Sequence, residues 1–163
     1  MAIWFFIIVP VVALAIWYYR LYRLQIGDSK VVSIERDDET IQLLKEKAQN
    51  EWPTFFRLAD KHGLTEDRCK FYVKCTIEEN ELREHIWILV SSFNGTHFRG
   101  TLANDPSRLT AVKFGDSLFV HQEEVEDWQV LDYLTSKRHG AFTRKYVRSK
   151  SDLLGIAVAD HFY

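Results

Sequence analysis

Between Ala2 and Tyr19 the chain reads AIWFFIIVPVVALAIWYY without a single charge, and a segment of that kind has few places to go. As a helix rising about 1.5 Å per residue it would be about 27 Å long, close to the thickness of a bilayer's hydrocarbon layer. Trp4 stands near one end and Trp17, Tyr18, Tyr19 and Tyr22 near the other, where amphipathic rings settle at headgroup level. Pro10 at mid-span is tolerated in membrane helices. Arg20, Arg23 and Lys30 follow the span and only the terminal amine precedes it, so the positive charge predicts a single pass with the N-terminus outside and the remainder in the cytoplasm. Two other readings compete. Ala13-Leu14-Ala15 resembles the cleavage site of a secretory signal, although no positive n-region precedes it, and a buried core helix is the third option.

Of 163 residues, about 130 remain after the apolar segment, enough for one ordinary domain. The expected organisation is an anchor with its flanks over residues 1–23, a linker over 24–37, and a folded domain over 38–163. Apolar residues at 47% and charged residues at 27% are the balance of a chain with a real core. The net charge of -2 gives no overall attraction to nucleic acid, and none is expected as a partner. Cys69 and Cys75 fall on one expected strand, about 20 Å apart, too far for a disulfide, which needs Cα atoms within about 7 Å. Two unpaired thiols suit a reducing compartment.

Within the linker, residues 30–35 have the pattern of a short edge strand. Ile41, Leu44, Ala48, Trp52, Phe55 and Ala59 recur every three or four positions, the stripe of an amphipathic helix that Gly63 ends. Pro53 inside that stripe predicts a kink or a tight break, or a second helix starting there. From Arg68 the period becomes two, with Cys69, Phe71, Val73 and Cys75 on one face. Residues 82–93 are apolar on both faces from Ile86 to Val90, as in a strand covered on both sides. With Asn94-Gly95 and residues 97–104 they predict an antiparallel meander. Residues 117–121 form a fourth strand and 125–130 a possible fifth. Residues 131–140 read as an irregular or helical excursion, and Ser151 to His161 as a closing helix. The fold class is α+β, helices packed on a curved antiparallel sheet.

Several of these pieces also match a known pattern. Phe71-Tyr72-Val73-Lys74, Glu84-His85-Ile86-Trp87, Phe98-Arg99-Gly100, Leu102 with Asn104 and Pro106, Gly115-Asp116, Asp127-Trp128 and Thr143-Arg144, in this order, resemble the YegJ-like bacterial domain of unknown function 2314. The likeness covers roughly residues 38 to 148. It departs from the family where members tend to carry a second glycine, since Gly140 is followed here by Ala141-Phe142. The resemblance implies an α+β domain without an assigned reaction, in a bacterial setting. Some members resemble immunity proteins, small partners that neutralise toxins delivered between competing bacteria.

The chemistry-bearing residues form no catalytic motif. A histidine positioned by a carboxylate would work near neutral pH, but Glu84 and His85 alternate to opposite faces of a strand. The bland reading is a strand histidine with a satisfied hydrogen bond and a Glu84 that is exposed or paired with Lys74. The six histidines lack metal-ligand spacing, leaving only a convergence of His85, His97 and His121 across strands. No phosphate loop, nucleophile elbow or dinucleotide fingerprint occurs, and no metal, cofactor or catalytic residue is expected. Glu78, Glu79, Glu81 and Glu84 surround the first hairpin, and Glu123, Glu124, Glu126 and Asp127 form a second acidic run. Both runs would steer a basic partner toward the domain, or serve as solvated surface. Lys137, Arg138, His139, Arg144, Lys145, Arg148 and Lys150, interleaved with Phe142 and Tyr146, would touch anionic headgroups, bind RNA or a phosphorylated ligand, or balance the acidic face.

The sequence therefore points to a non-enzymatic protein-binding domain tethered through residues 2–19 to the inner face of a bacterial cytoplasmic membrane. Most concretely, the resemblance implies an immunity protein for a cognate toxin, with the acidic runs, His85 and an exposed Trp128 as the expected contacts. The alternatives are an enzyme or small-ligand sensor using His85 or Lys74 in a sheet-lined pocket, and an inner-membrane adaptor.

Overall fold

The computed structural model describes residues 39–153. The anchor with its aromatic and arginine flanks, the linker with its edge strand, and the closing segment beyond residue 153 lie outside the described residues. Among the described residues no helix is long and apolar enough to cross a membrane.

The apolar stripe folds as two helices, α1 (Glu39–Asn50) and α2 (Trp52–His62), separated by Glu51 alone. Pro53 sits in the first turn of α2, where its missing N–H breaks no hydrogen bond. Gly63 closes α2 at φ 72, its N–H donating to the Ala59 carbonyl at 2.8 Å. The break lets Ala48, Trp52 and Phe55 all turn into one core.

Six strands follow: β1 (Cys69–Glu79), β2 (Leu82–Phe93), β3 (His97–Leu102), β4 (Ser117–His121), β5 (Asp127–Asp132) and β6 (Lys137–Gly140). They form one sheet in the order β4-β3-β2-β1-β5-β6, with every pair antiparallel. The chain steps outward from β1 to β4, then crosses to the other side of β1. Cys69, Phe71, Val73 and Cys75 are buried on one face as their alternation requires, and both thiols are free. With Ile88, Val90, Phe98, Val120, Trp128 and Val130 they pack against Ala48, Trp52 and Phe55. Phe55 lies at the centre, its ring 5.4 Å from Phe71, 5.7 Å from Phe98 and 5.5 Å from Trp128. A smaller cluster of Ile86, Leu102 and Leu109 lies under the loop between β3 and β4.

Residues 131–140 are not an excursion. They complete β5, turn, and return as β6. The turn carries no glycine or proline; Ser136 takes φ 54, and Asp132 Oδ1 accepts from the N–H groups of Leu134 at 3.0 Å and Thr135 at 3.2 Å. An aspartate holding its own downstream amides shapes the hairpin instead. The last described helix, α3 (Phe142–Leu153), starts well before the expected Ser151. Its entry is set by Gly140 and Ala141, both at positive φ, with the Ala141 N–H donating to the Trp128 carbonyl at 2.7 Å. Ala141, which follows Gly140 where the family resemblance implies a second glycine, is thus left-handed.

Candidate functional site

Pairing across β5, β1 and β2 puts Asp127 opposite Lys74, Lys74 opposite Trp87, and Thr76 opposite His85, all on the face away from Phe71 and Val73. Asp127 is wholly buried. Its Oδ1 accepts from the N–H groups of Trp128 at 2.8 Å and Phe142 at 3.2 Å, and its Oδ2 from the Thr143 N–H at 2.8 Å and hydroxyl at 2.6 Å. Phe142 and Thr143 open α3, so this one carboxyl takes up N–H groups that a helix start leaves without intrahelical partners. Burial pushes Asp127 above the usual carboxylate range, against the pull of Thr143 and of the Lys74 charge. Lys74 Nζ donates to Thr143 Oγ1 at 3.3 Å and lies 5.8 Å from the centre of the Trp87 ring. Burial lowers its pKa, opposed by Asp127 and Glu126.

Glu126 ties three elements together. Its Oε1 accepts from Lys45 of α1 at 2.7 Å and from the Thr76 hydroxyl of β1 at 2.9 Å, and its Oε2 lies 2.5 Å from His85 Nδ1 of β2. Burial raises its pKa, but hydrogen bonds and charge from His85 and Lys45 overcome this and hold it at about 2. A folded pKa below the ordinary 4.5 means a contribution fully present above that pH and lost as the pH falls toward about 2. We expect Glu126→Gln to remove on the order of 2 to 3 kcal/mol at neutral pH. The gap from wild type should narrow as the pH drops from about 6 to about 3, read from urea midpoints. Asp127, whose shift has the opposite sign, is common to both proteins and cancels.

Next to Asp127 on β5, Gln129 is also wholly buried, and neither of its side-chain amide atoms has a hydrogen-bond partner among the described residues. Such an amide costs stability that an apolar side chain of similar size would not. Gln129→Leu should raise the urea midpoint, by about 1 to 2 kcal/mol of stability.

The first acidic run divides. Glu79 accepts from the Thr110 N–H and hydroxyl, both at 2.6 Å, and from the Ala111 N–H at 3.0 Å; these bonds hold its carboxyl below the usual range. Glu84 accepts from the N–H groups of Ser107 at 2.8 Å and Leu109 at 3.2 Å, from that of Arg108, and from the Ser107 hydroxyl at 3.1 Å. Burial raises Glu84, and the backbone donors outweigh it, leaving the pKa lowered. These two carboxylates hold the loop over the smaller core, and Glu84 does not pair with Lys74. Glu78, paired with Arg83 at 2.6 Å, and Glu81 at the hairpin tip are exposed.

The second run divides as well. Glu123 and Glu124 are exposed on a 3-10 turn (Gln122–Glu124) directly after β4, whereas Asp127 and Trp128 lie inside. Trp128 is not the exposed aromatic that the sequence suggested: it is 1% accessible, and its Nε1 donates to the Ala48 carbonyl at 2.9 Å. The reason is β5's place between β1 and β6, which turns Trp128 under α1 and α2. His97 and His121 are cross-strand partners with ring centres 4.8 Å apart. His85 does not join them, and among the described residues no group of three or more His, Cys, Asp or Glu side chains could hold a metal. In the basic segment, Phe142 packs on Trp128 at 5.7 Å beneath Lys47, while Lys137, Arg138, Lys145 and Arg148 are exposed.

One surface feature had no clear sequence signal. Phe119 of β4, the last strand of the sheet among the described residues, is 68% exposed, and the Arg99 guanidinium lies 5.6 Å from its ring. Within SLFVH it alternates with Leu118 and Val120 and reads as one more strand residue. Its register opposite Arg99 puts it on the face away from the buried Phe98 and Val120, which makes it a surface aromatic.

The family described as "Uncharacterized protein conserved in bacteria (DUF2314)" matches residues 38–152. A Neisseria meningitidis serogroup B protein named as an ankyrin repeat protein is 28% identical over 130 residues, covering 76% of this chain and 51% of that protein. YegJ, an uncharacterized protein of Escherichia coli K12, is 28% identical over 81 residues, covering 50% of each. The chain thus spans about half the length of these curated relatives. No solved structure matches. With most of the described fold inside the matched span, the chain belongs to the YegJ-like DUF2314 family.

Proposed function

We propose that this chain is a membrane-tethered, cytoplasm-facing protein-binding domain, and most concretely an immunity protein that neutralises an antibacterial toxin. The observation that carries the reading is the edge of β4. There the exposed Phe119, with Arg99 against its ring, runs directly into the exposed carboxylates Glu123 and Glu124. An aromatic anchor beside an acidic rim is the usual composition of a tight interface, and it selects a basic partner. β4 has a strand neighbour on one side only, among the described residues, and an unpaired edge offers backbone groups to a partner strand. The name of the Neisseria relative fits a protein-binding role, since stacked repeats build extended binding surfaces. The tether rests on the uncharged run at residues 2–19.

Co-expression with the product of the neighbouring gene tests the proposal. The expected result is a product that arrests growth alone, is tolerated when this chain is present, and co-purifies with it. A product harmless by itself, or one that does not co-purify, would overturn the proposal. Deleting residues 1–23 should move the chain out of the membrane fraction and leave co-purification intact, whereas an adaptor would lose its function.

A further inference from the structure

We infer that the cleft between the α1–α2 junction and the β3–β4 end of the sheet is a socket for an arginine side chain of the partner, an inference that rests on the protein-binding reading above. The cleft is lined by Gln49, Trp52, Gly95, Thr96, His121, Gln122 and Glu123. No lysine or arginine is among them, and among the described residues no lysine or arginine pairs with the Glu123 carboxylate. The His121 imidazole lies beside it, with Nδ1 3.7 Å from Oε2 and accepting from the Glu123 N–H at 3.3 Å, and the Glu123 side chain is 89% exposed.

The remaining groups suit the rest of a guanidinium-bearing side chain. The side-chain amides of Gln49 and Gln122 make no hydrogen bond within the described protein and offer carbonyl oxygens to further N–H donors. Guanidinium presents five such donors in a planar fork, against three on a lysine ammonium, and pairs with carboxylates through two parallel hydrogen bonds. Trp52, 8% accessible and with its ring stacked 5.4 Å from Phe98, lines the cleft and supplies the aromatic surface on which a methylene stem would lie. The geometry is held by parts the fold already needs. The one-residue break at Glu51 brings the end of α1 beside Trp52, Asn94 Oδ1 fixes the Gly95 turn through the Thr96 and His97 N–H groups, and the Glu124 carboxylate accepts from the His121 N–H at 3.1 Å. Glu124 therefore positions the turn, and Glu123 is free to bind.

The test is a nitrogen-15 NMR titration of the full chain in mild detergent with N-acetyl-L-arginine amide, and with the neutral citrulline analogue as its isostere. The expected result is a saturable shift of the Gln49 and Gln122 side-chain amides and the Trp52 indole N–H with the arginine probe alone. Glu123→Gln should abolish that shift while leaving the Trp128 indole signal, which reports the core, in place. No saturable shift, equal shifts with both probes, or an undiminished shift in Glu123→Gln would overturn the socket. This readout needs no partner protein. A failed socket with intact co-purification would leave the protein-binding reading standing, and a bound probe with no co-purifying product would do the reverse.

Discussion

Replacing Gly140 by alanine is expected to destabilise the fold by about 3 to 5 kcal/mol, the largest effect of any single methyl group in the described chain. Two penalties coincide there. Gly140 holds φ 73, a region that L side chains enter at a cost of about 1 to 2 kcal/mol. A Cβ on it would also overlap the Trp128 carbonyl oxygen and lie 2.6 Å from Trp128 Cε3. Neither neighbour can yield. The carbonyl accepts from Ala141, the ring is locked between Phe55 and Phe142, and Gly140 is itself paired with Gln129. Gly95 is the control. It too has a positive φ, of 98, but open space where a Cβ would go, so Gly95→Ala should cost only about 1 kcal/mol. Urea midpoints of the two variants measured side by side separate the steric part from the backbone part.

The second large effect is expected at Asp127. Asp127→Ala removes the acceptor of four hydrogen bonds and leaves the N–H groups of Trp128, Phe142 and Thr143 inside without a partner. It also removes one of the two carboxylates, with Glu126, whose charge favours the Lys74 cation. The expected loss is about 3 to 5 kcal/mol, enough to lower the melting temperature by about 10 °C or more. Asp127→Asn keeps one oxygen but turns an amide N–H toward donors, and should fall between alanine and wild type. Because Asp127 joins β5 to the start of α3, hydrogen exchange in the asparagine variant should quicken first along α3, with β1 and β2 still protected. Uniform acceleration across sheet and helix would show that α3 is not docked through this carboxyl.

Much of the framework is legible in the chain because each cue there is local. The alternation from Cys69 to Cys75 predicts a one-face strand, and the two-sided apolar run at Ile86 to Val90 predicts an interior one; both hold. Gly63 and Pro53 mark the end of α2 and the start of its first turn by steric rules that need no tertiary context. The failures have one physical cause, information carried across space. The β5–β6 turn is made by Asp132 and a left-handed Ser136, so nothing in its composition marks it. Trp128 at the end of a run of four acidic residues reads as an exposed anchor, and only the crossing of β5 to the far side of β1 reveals it as core.

The acidic runs show the same limit more sharply. Eight carboxylates look equivalent in the sequence, yet Glu79 and Glu84 tie down a loop, Glu126 joins α1 to the sheet, and Asp127 starts α3. Sequence periodicity can say that Glu84 and His85 face opposite ways; it cannot say that His85 meets Glu126, forty-one positions later. Of the eight, Glu78, Glu81, Glu123 and Glu124 are exposed, although Glu78 pairs with Arg83 and Glu124 caps its own turn; Phe119, which no motif marks, is exposed beside them.

The affinity of the full chain for the product of the neighbouring gene, measured by calorimetry for wild type and for a Phe119→Ser, Glu123→Lys double variant, tests the protein-binding claim most directly. Both side chains are exposed, so the variant should unfold at the wild-type urea midpoint. Tight binding is expected of wild type, and a loss of at least about 2 kcal/mol, roughly thirtyfold in affinity, of the variant. No binding by wild type, or equal affinity in the two proteins, would contradict the claim.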